Sequence, residues 1–402
     1  MTGGLVRPVG TLDELQRIVP TEQIDSSPES GRGQQNSFAV EPATKEELID
    51  ILRWANAAPA GVYTRLPRDR DRKVCGKRPR LYLKGRRMAR VRDLDVMSGT
   101  VTVQSGITML ELQRILEERD YTTGFPGRAW ADESVGSVLA ASLDAHWGPP
   151  YGTMEREVVS LGVVLPDGTA AASRIAPRGA VGPDFDRVFL GSRGRYGIIH
   201  EVTLRILPAS ARTTVNFAAA NLGEALQALR AGFRKGLDCR NAEILTPTPD
   251  RSWGSKRLGL GTQRPLLVLV EPWGRQSGMA AEHVDEVLGS TLERLEPPVG
   301  WNTHEGLLPP PRRWREPVVA IPWRDLSKLA NELGNEVPPG LWIVRLSRHG
   351  AWVSVADNMP GAPADVVRKL IQSRLPPKRS PWSKVATTLK AQLDPRNVLN
   401  PS

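Results

Sequence analysis

The residues best suited to chemistry in this 402-residue chain are glycines and small hydroxyls rather than nucleophiles. Gly191-Ser192-Arg193-Gly194-Arg195-Tyr196-Gly197 runs straight into the strand-forming stretch Ile198-Ile199-His200-Glu201-Val202-Thr203-Leu204-Arg205. Upstream stand Ser134-Val135-Gly136-Ser137-Val138-Leu139-Ala140-Ala141, Gly148 in Ala145-His146-Trp147-Gly148, Gly152 in Tyr151-Gly152-Thr153, and Val163-Val164-Leu165-Pro166-Asp167-Gly168. Each sets small residues beside an apolar run. A diphosphate needs several N–H donors converging on one point, and an inward-pointing side chain would block them. Glycine removes the block, and serine adds a hydroxyl donor. One Gly-x-x-Gly is also an ordinary turn; the ordered set ending in Gly-Ile-Ile-x-Glu-Val-Thr-Leu-Arg is far more specific.

In order and content these segments resemble the FAD-binding domain of the vanillyl-alcohol-oxidase, or PCMH-type, flavoproteins, and most closely the short glycolate-oxidase-like FAD-binding subunits. The resemblance covers residues 36–208 and the terminal Leu389-Lys390-x-x-Leu393-Asp394-Pro395-x-x-Val398-Leu399-Asn400-Pro401. It implies an α+β fold: an FAD-binding domain of two α+β subdomains plus a smaller helix-on-sheet cap domain that covers the flavin ring. The implied organisation is an N-terminal extension over 1–35, the FAD-binding domain over 36–208, a cap or substrate domain over 209–375, and a segment over 376–402 that returns to the FAD domain. Gly136 and Ser137 stand where the family has paired glycines. Gly148 and Gly152 stand at the next close approaches. Gly191, Ser192, Gly194 and Gly197 would let the backbone pass beside the flavin and its ribityl phosphate. Ile198 and Ile199 would offer backbone groups and an apolar wall.

One part of the pattern departs. The first strand–loop of such a domain carries glycines, whereas here the segment reads Gly61-Val62-Tyr63-Thr64-Arg65-Leu66-Pro67-Arg68-Asp69-Arg70-Asp71-Arg72-Lys73. Either the guanidinium forks of Arg65, Arg68, Arg70 and Arg72 replace backbone donors at the pyrophosphate, or they form a solvated or partner-binding surface. The loop has no histidine, so flavin attachment through a loop histidine is unavailable and the expected FAD is non-covalent.

The elements that must position these residues are legible from pattern. Thr44 and Glu47 form a capping box for a helix over 45–58, with Leu48, Ile51, Leu52 and Ala55 on one face. Val101–Gln104 alternates as a strand, and Thr108 caps a helix from Met109 to Arg119. Strands are expected over 158–165, ending in the Pro166-Asp167-Gly168-Thr169 turn, and over 197–207. Beyond 209, helices over 222–235 and 280–296 flank strands over 265–270 and 341–346. A last helix stops at Asp394-Pro395.

Composition bounds the function. The net charge is +10, which favours acidic partners: an anionic small-molecule substrate, an acidic partner subunit or an anionic surface. Both signs are mixed through most of the chain and no aromatic-basic motif accompanies the charge, so nucleic acid is not an expected partner. Cys75 and Cys239 are the only cysteines, and neither sits in a metal-ligand spacing, so no metal site is expected. No apolar run is long enough to span a bilayer, and the expected compartment is the cytoplasm. The resemblance implies an FAD-linked oxidase or dehydrogenase (or a subunit of one) that oxidises a C–H next to oxygen, as in a 2-hydroxy acid or related alcohol. The alternative is a flavin-free, catalytically degenerate binding or scaffolding subunit. His146, His283, His304 and His349 do not distinguish a catalytic base among themselves, so that role is unassigned. The His-rich metal-and-substrate motif of many flavin 2-hydroxyacid dehydrogenases is not visible.

Overall fold

The structure, a computed structural model, describes residues 12–25, 37–58, 60–64, 79–123, 132–141, 157–176, 184–209, 214–246, 266–272, 277–295, 319–336, 338, 341–347, 350–355, 362–374 and 381–400. The fold is α+β, and its described residues pack chiefly into three large apolar clusters.

The first unit has a four-stranded sheet in the order β1 (Ile24–Asp25), β2 (Ser37–Val40), β4 (Arg80–Leu83), β3 (Gly61–Tyr63). Strands β2, β4 and β3 run parallel, so the chain must cross over between β2 and β3, and α2 (Lys45–Ala57) does so. Thr44 Oγ1 accepts from the Glu47 amide at 3.1 Å, and Glu47 reaches back to the Ala43 amide at 2.8 Å. Leu48, Ile51, Leu52 and Ala55 are all buried under the sheet. Residues 12–25 are not an appendage. Helix α1 (Leu12–Leu15) buries Leu15 in this same cluster, Trp54 Nε1 donates to Glu14 at 2.9 Å, and β1 extends the sheet.

The second unit is an antiparallel sheet in the order β5 (Val91–Asp95), β6 (Thr100–Gln104), β10 (Ile198–Arg205), β8 (Val158–Val164), β9 (Ala170–Ala172). Helices α3 (Met109–Glu117) and α4 (Val135–Ala141) close its core. Thr108 Oγ1 accepts from the Glu111 amide at 3.1 Å, as the capping pattern requires. A short ribbon pairs β7 (Tyr121–Thr122) with β11 (Leu207–Pro208), and α5 (Asp186–Phe189) precedes the glycine loop. Strand β10 joins the first two clusters: Ile198 lies in one and Ile199 in the other.

The third unit is a seven-stranded antiparallel sheet in the order β15 (Glu293–Arg294), β12 (Val215–Ala219), β14 (Leu266–Pro272), β13 (Cys239–Leu245), β17 (Leu341–Ser347), β18 (Gly350–Val355), β16 (Val319–Pro322). Helices α6 (Leu222–Arg234), α7 (Ser277–Leu288), α8 (Trp323–Leu333) and α9 (Ala362–Arg374) bury their apolar stripes with one parity of the strands, including Phe217, Ile244, Val268 and Ile343. The helix expected over 280–296 is shorter and begins earlier; its last residues turn into β15, which the periodicity of a two-residue strand could not reveal. Helix α10 (Pro381–Leu393) then returns the chain to the first unit.

His200 on β10 is buried and packs beside Gly162, where an added Cβ would come within 2.8 Å of its Nε2. Burial, reinforced by Lys45, pushes its pKa down to about 4. The imidazole is therefore neutral in the folded protein at pH values where an unfolded histidine takes up a proton. Stability should fall as pH drops from 6.5 toward 4, by about 2 kcal/mol between pH 6.5 and 5. Urea midpoints for the wild type and His200→Gln, measured at pH 7 and 5, check this: the difference between the two proteins should shrink at the lower pH.

Candidate functional site

The glycine loop between α5 and β10 has left-handed backbone at Gly191 (φ 71°), Arg193 (φ 56°) and Gly194 (φ 69°). It caps the end of α4: the Gly191 amide donates to the Leu139 carbonyl at 2.9 Å and the Arg193 amide to the Ala140 carbonyl at 2.6 Å. The Ser192 amide donates to the Phe189 carbonyl at the end of α5 and the Arg195 amide to the Ser192 carbonyl. A Cβ on Gly194 would meet Thr64 Cγ2 at 3.0 Å and Asn400 Nδ2 at 3.1 Å, and one on Gly197 would meet the Phe189 ring at 3.0 Å. Gly136 is pressed against Ser105, 2.8 Å from a built Cβ, and its amide bonds the Ser105 carbonyl. These small residues thus serve close approaches within the protein. Ile198 and Ile199 are also committed, with side chains buried in the two cores and backbones paired to Val164 and Val163. Little of either side chain remains for a ligand.

The donors left over are side chains. Ser192 Oγ is buried and has no partner among the described residues. Ser137 is exposed; its Oγ accepts from Ser134 Oγ at 3.0 Å, which leaves its own hydrogen for another acceptor. Arg193 is exposed on the loop's lip. Gly148, Gly152, His146, His304, His349, Cys75 and the loop arginines Arg65, Arg68, Arg70 and Arg72 lie outside the described residues. His283 is described but exposed beside Glu286 at 3.7 Å, and Cys239 is half-buried with its thiol pushed up to about 12, chiefly by burial. Among the described residues no group of metal ligands occurs, and no helix is long and apolar enough to cross a membrane.

The C-terminus completes the site. Beyond α10 the chain forms a parallel bridge at Val62↔Leu399, with Val62 N to Val398 O and Asn400 N to Val62 O both at 2.7 Å. Asn400 accepts from the Thr64 amide at 3.3 Å and donates to the Arg193 and Gly194 carbonyls at 3.0 and 3.1 Å. The exit of β3, the glycine loop and the tail therefore meet at one place. Lys390 and Asp394 lock it. The ammonium contacts Asp394 Oδ2 and the Leu399 carbonyl at 2.5 Å and the Arg195 carbonyl at 2.9 Å.

The family model "FAD binding domain" matches residues 37–172, which include the β3 exit and α4. This match gives the chain an FAD-binding domain over those residues. FAD is the cofactor such a domain binds. The mitochondrial D-lactate dehydrogenase [cytochrome] of Arabidopsis thaliana is 36% identical over 43% of this chain and 32% of its own length. The FAD-linked oxidoreductase YgcU of Escherichia coli K12 is 29% identical over 38% of the chain and 31% of its own length. The chain thus spans about a third of the length of these curated relatives. The fold extends further than the sequence likeness. Alkyldihydroxyacetonephosphate synthase superposes with a TM-score of 0.69 at 18% identity, covering 91% of this chain and 76% of that one. p-Cresol methylhydroxylase superposes at 0.65 and 14%, covering 96% and 95%.

The donor set of the domain fits an anionic cofactor, but through side chains more than a backbone nest. A buried hydroxyl without a partner costs about 1–3 kcal/mol, which an acceptor oxygen at Ser192 would recover.

Sequence reasoning missed a second set of polar residues. On the seven-stranded sheet, Asn216, Glu243 and Glu271 fall on the parity opposite the helices, yet all are buried. Glu243 and Asn216 both pair with Leu269, from either side, and Glu271 follows two residues later on β14. The signal was present: a polar residue at alternate parity in Val-Asn-Phe-Ala-Ala, Ala-Glu-Ile-Leu and Leu-Val-Leu-Val-Glu. It was unreadable without knowing which parity met the helices.

Two substitutions probe the site. Lys390→Met should leave the Asp394 carboxylate buried without its cation and cost about 3–5 kcal/mol, read as a fall in urea midpoint. Ser192→Ala should leave the apo protein's melting temperature unchanged or slightly raised, because it removes an unsatisfied hydroxyl, while weakening FAD about tenfold; calorimetry and flavin titration separate the two effects.

Proposed function

We propose that this protein is an FAD-linked oxidase or dehydrogenase, or the flavin subunit of one, that oxidises a C–H next to oxygen in a 2-hydroxy acid or related alcohol. The observation that carries this reading is the combination of an FAD-binding domain with a second sheet whose face opposite α6–α9 buries two carboxylates and an amide. Residues 209–375 then act as the cap and substrate domain. The D-lactate dehydrogenase relative supports the 2-hydroxy acid class, and the net positive charge suits an anionic substrate. The flavin-free alternative gains no support from the relatives.

FAD supplies the two-electron sink when bound. The chain's own residues do the rest. Ser192, Ser137 and Arg193 hold the cofactor's anionic portion, with Gly136, Gly191, Gly194 and Gly197 letting the backbone segments close around it. Gly148 and Gly152 stay in the proposed set as backbone contacts, and Ile198 and Ile199 as the paired strand start that places the glycine loop. Glu243 or Glu271 takes the hydroxyl proton as the substrate carbon gives up its hydride, and Asn216 orients the substrate oxygen. General-base removal from such a position costs about 10²–10⁴-fold in rate.

Anaerobic mixing of the FAD-loaded protein with a panel of 2-hydroxy acids and alcohols is the test. The expected result is bleaching of the flavin absorbance by at least one 2-hydroxy acid, slowed about 10²–10⁴-fold in Glu243→Gln or Glu271→Gln at unchanged flavin content. A flavin that dithionite reduces but no compound of either class bleaches would overturn the reading.

A further inference from the structure

Asn400, near the end of the chain, joins two distant segments by hydrogen bonds from one side chain. Thr64 is the last described residue before the arginine loop, and its amide and hydroxyl both meet the Asn400 amide group, at 3.3 Å each. From the other direction, the same Nδ2 donates to the carbonyls of Arg193 and Gly194. Glycine at 194 is required for this approach, because its backbone is left-handed and a Cβ would push into both Thr64 and Asn400. Asn400 itself has φ 41°, a conformation asparagine accepts more readily than most residues. Its backbone is pinned by the amide bond to Val62, and the preceding Leu399 is held twice over, by the Asp394 carboxylate at its amide and by Lys390 at its carbonyl. The side chain is thus a short strut mounted on a rigid base.

We propose that Asn400 is a positioning residue for the cofactor site: it fixes the spacing between the β3 exit and the glycine loop, so that docking of the C-terminal segment and binding of FAD are coupled. The proposal rests on the FAD reading above. It requires that removing the strut loosens both segments together while the cores are untouched, and that the cofactor, which must be gripped from both, binds more weakly. By linkage, bound FAD must in turn tighten the tail.

Asn400→Gly is the test variant, since glycine keeps the left-handed backbone and deletes only the side chain. Asn400→Asp is the second, retaining an acceptor for the Thr64 amide but setting a carboxylate against two carbonyls. Hydrogen exchange on the apo protein reads the strut directly. The Thr64 amide and the amides of 193–197 should exchange about tenfold faster in Asn400→Gly, with the β14 amides unchanged. FAD affinity, measured well below the melting temperature, should fall about tenfold in Asn400→Gly and at least as far in Asn400→Asp. Unaltered exchange at either segment, or wild-type FAD affinity in both variants, overturns the proposal. If the wild-type chain takes up no FAD, the FAD reading fails, and with it the coupling. The exchange result then still decides whether Asn400 ties the two segments.

Discussion

The architecture of the site depends on one buried ion pair. Lys390 has three N–H donors and three acceptors: the Asp394 carboxylate and the carbonyls of Arg195 and Leu399. Asp394 in turn accepts from the amides of Val398 and Leu399, both at 2.8 Å. Burial lowers the lysine's pKa and Asp394 opposes that shift. A buried pair carries a large desolvation cost and is a poor source of net stability unless every donor and acceptor is met; here they are met. The result is geometric. The ammonium ties the end of α10 to the glycine loop through Arg195, and the carboxylate folds the last turn so that Leu399 can bridge Val62. An apolar pair of the same volume could fill the space, but it could not hold two carbonyls and two amides in register.

That constraint explains why the glycines stand where they do. Their backbone approaches are made to the protein: Gly136 to Ser105, Gly194 to Thr64 and Asn400, Gly197 to Phe189. The loop amides at Gly191 and Arg193 are consumed in capping α4. Packing of this kind brings the lip of the loop, with exposed Arg193 and a Ser192 hydroxyl that has no partner among the described residues, to one edge of the domain. The glycines therefore shape the cradle, and the donors available to an anion sit on the residues between them.

Much of the fold was legible because local signals agreed with tertiary ones. The Thr44 and Thr108 caps, the face of α2, the strands at 100–104, 158–164 and 198–205 and the final helix all follow from pattern. What was not legible depended on contacts distant in sequence. Short strands such as β1 and β15 have no period of their own and exist only because a neighbour offers an edge. Residues 12–25 contain Leu15 and Val19, whose burial needs the far side of α2 and β2. Asn400 reads as a turn residue in Asn-Pro; only the return of the tail across more than three hundred positions makes it a bridge to Thr64.

The seven-stranded sheet carries the same lesson into chemistry. Its helices cover one parity, and the other parity is no less buried, though it holds Asn216, Glu243 and Glu271 among Leu267, Leu269 and Leu245. A sheet needing only to stand on its helices would leave its second face polar and wet, alternating with the first. Here the second face is instead covered by protein, and its carboxylates and amide are buried with partners of their own. In the function proposed above, the glycine loop locked through Lys390 serves the cofactor and this face of the third sheet serves the substrate. The chain leaves the first two units after Pro208 and returns to them at Asn400.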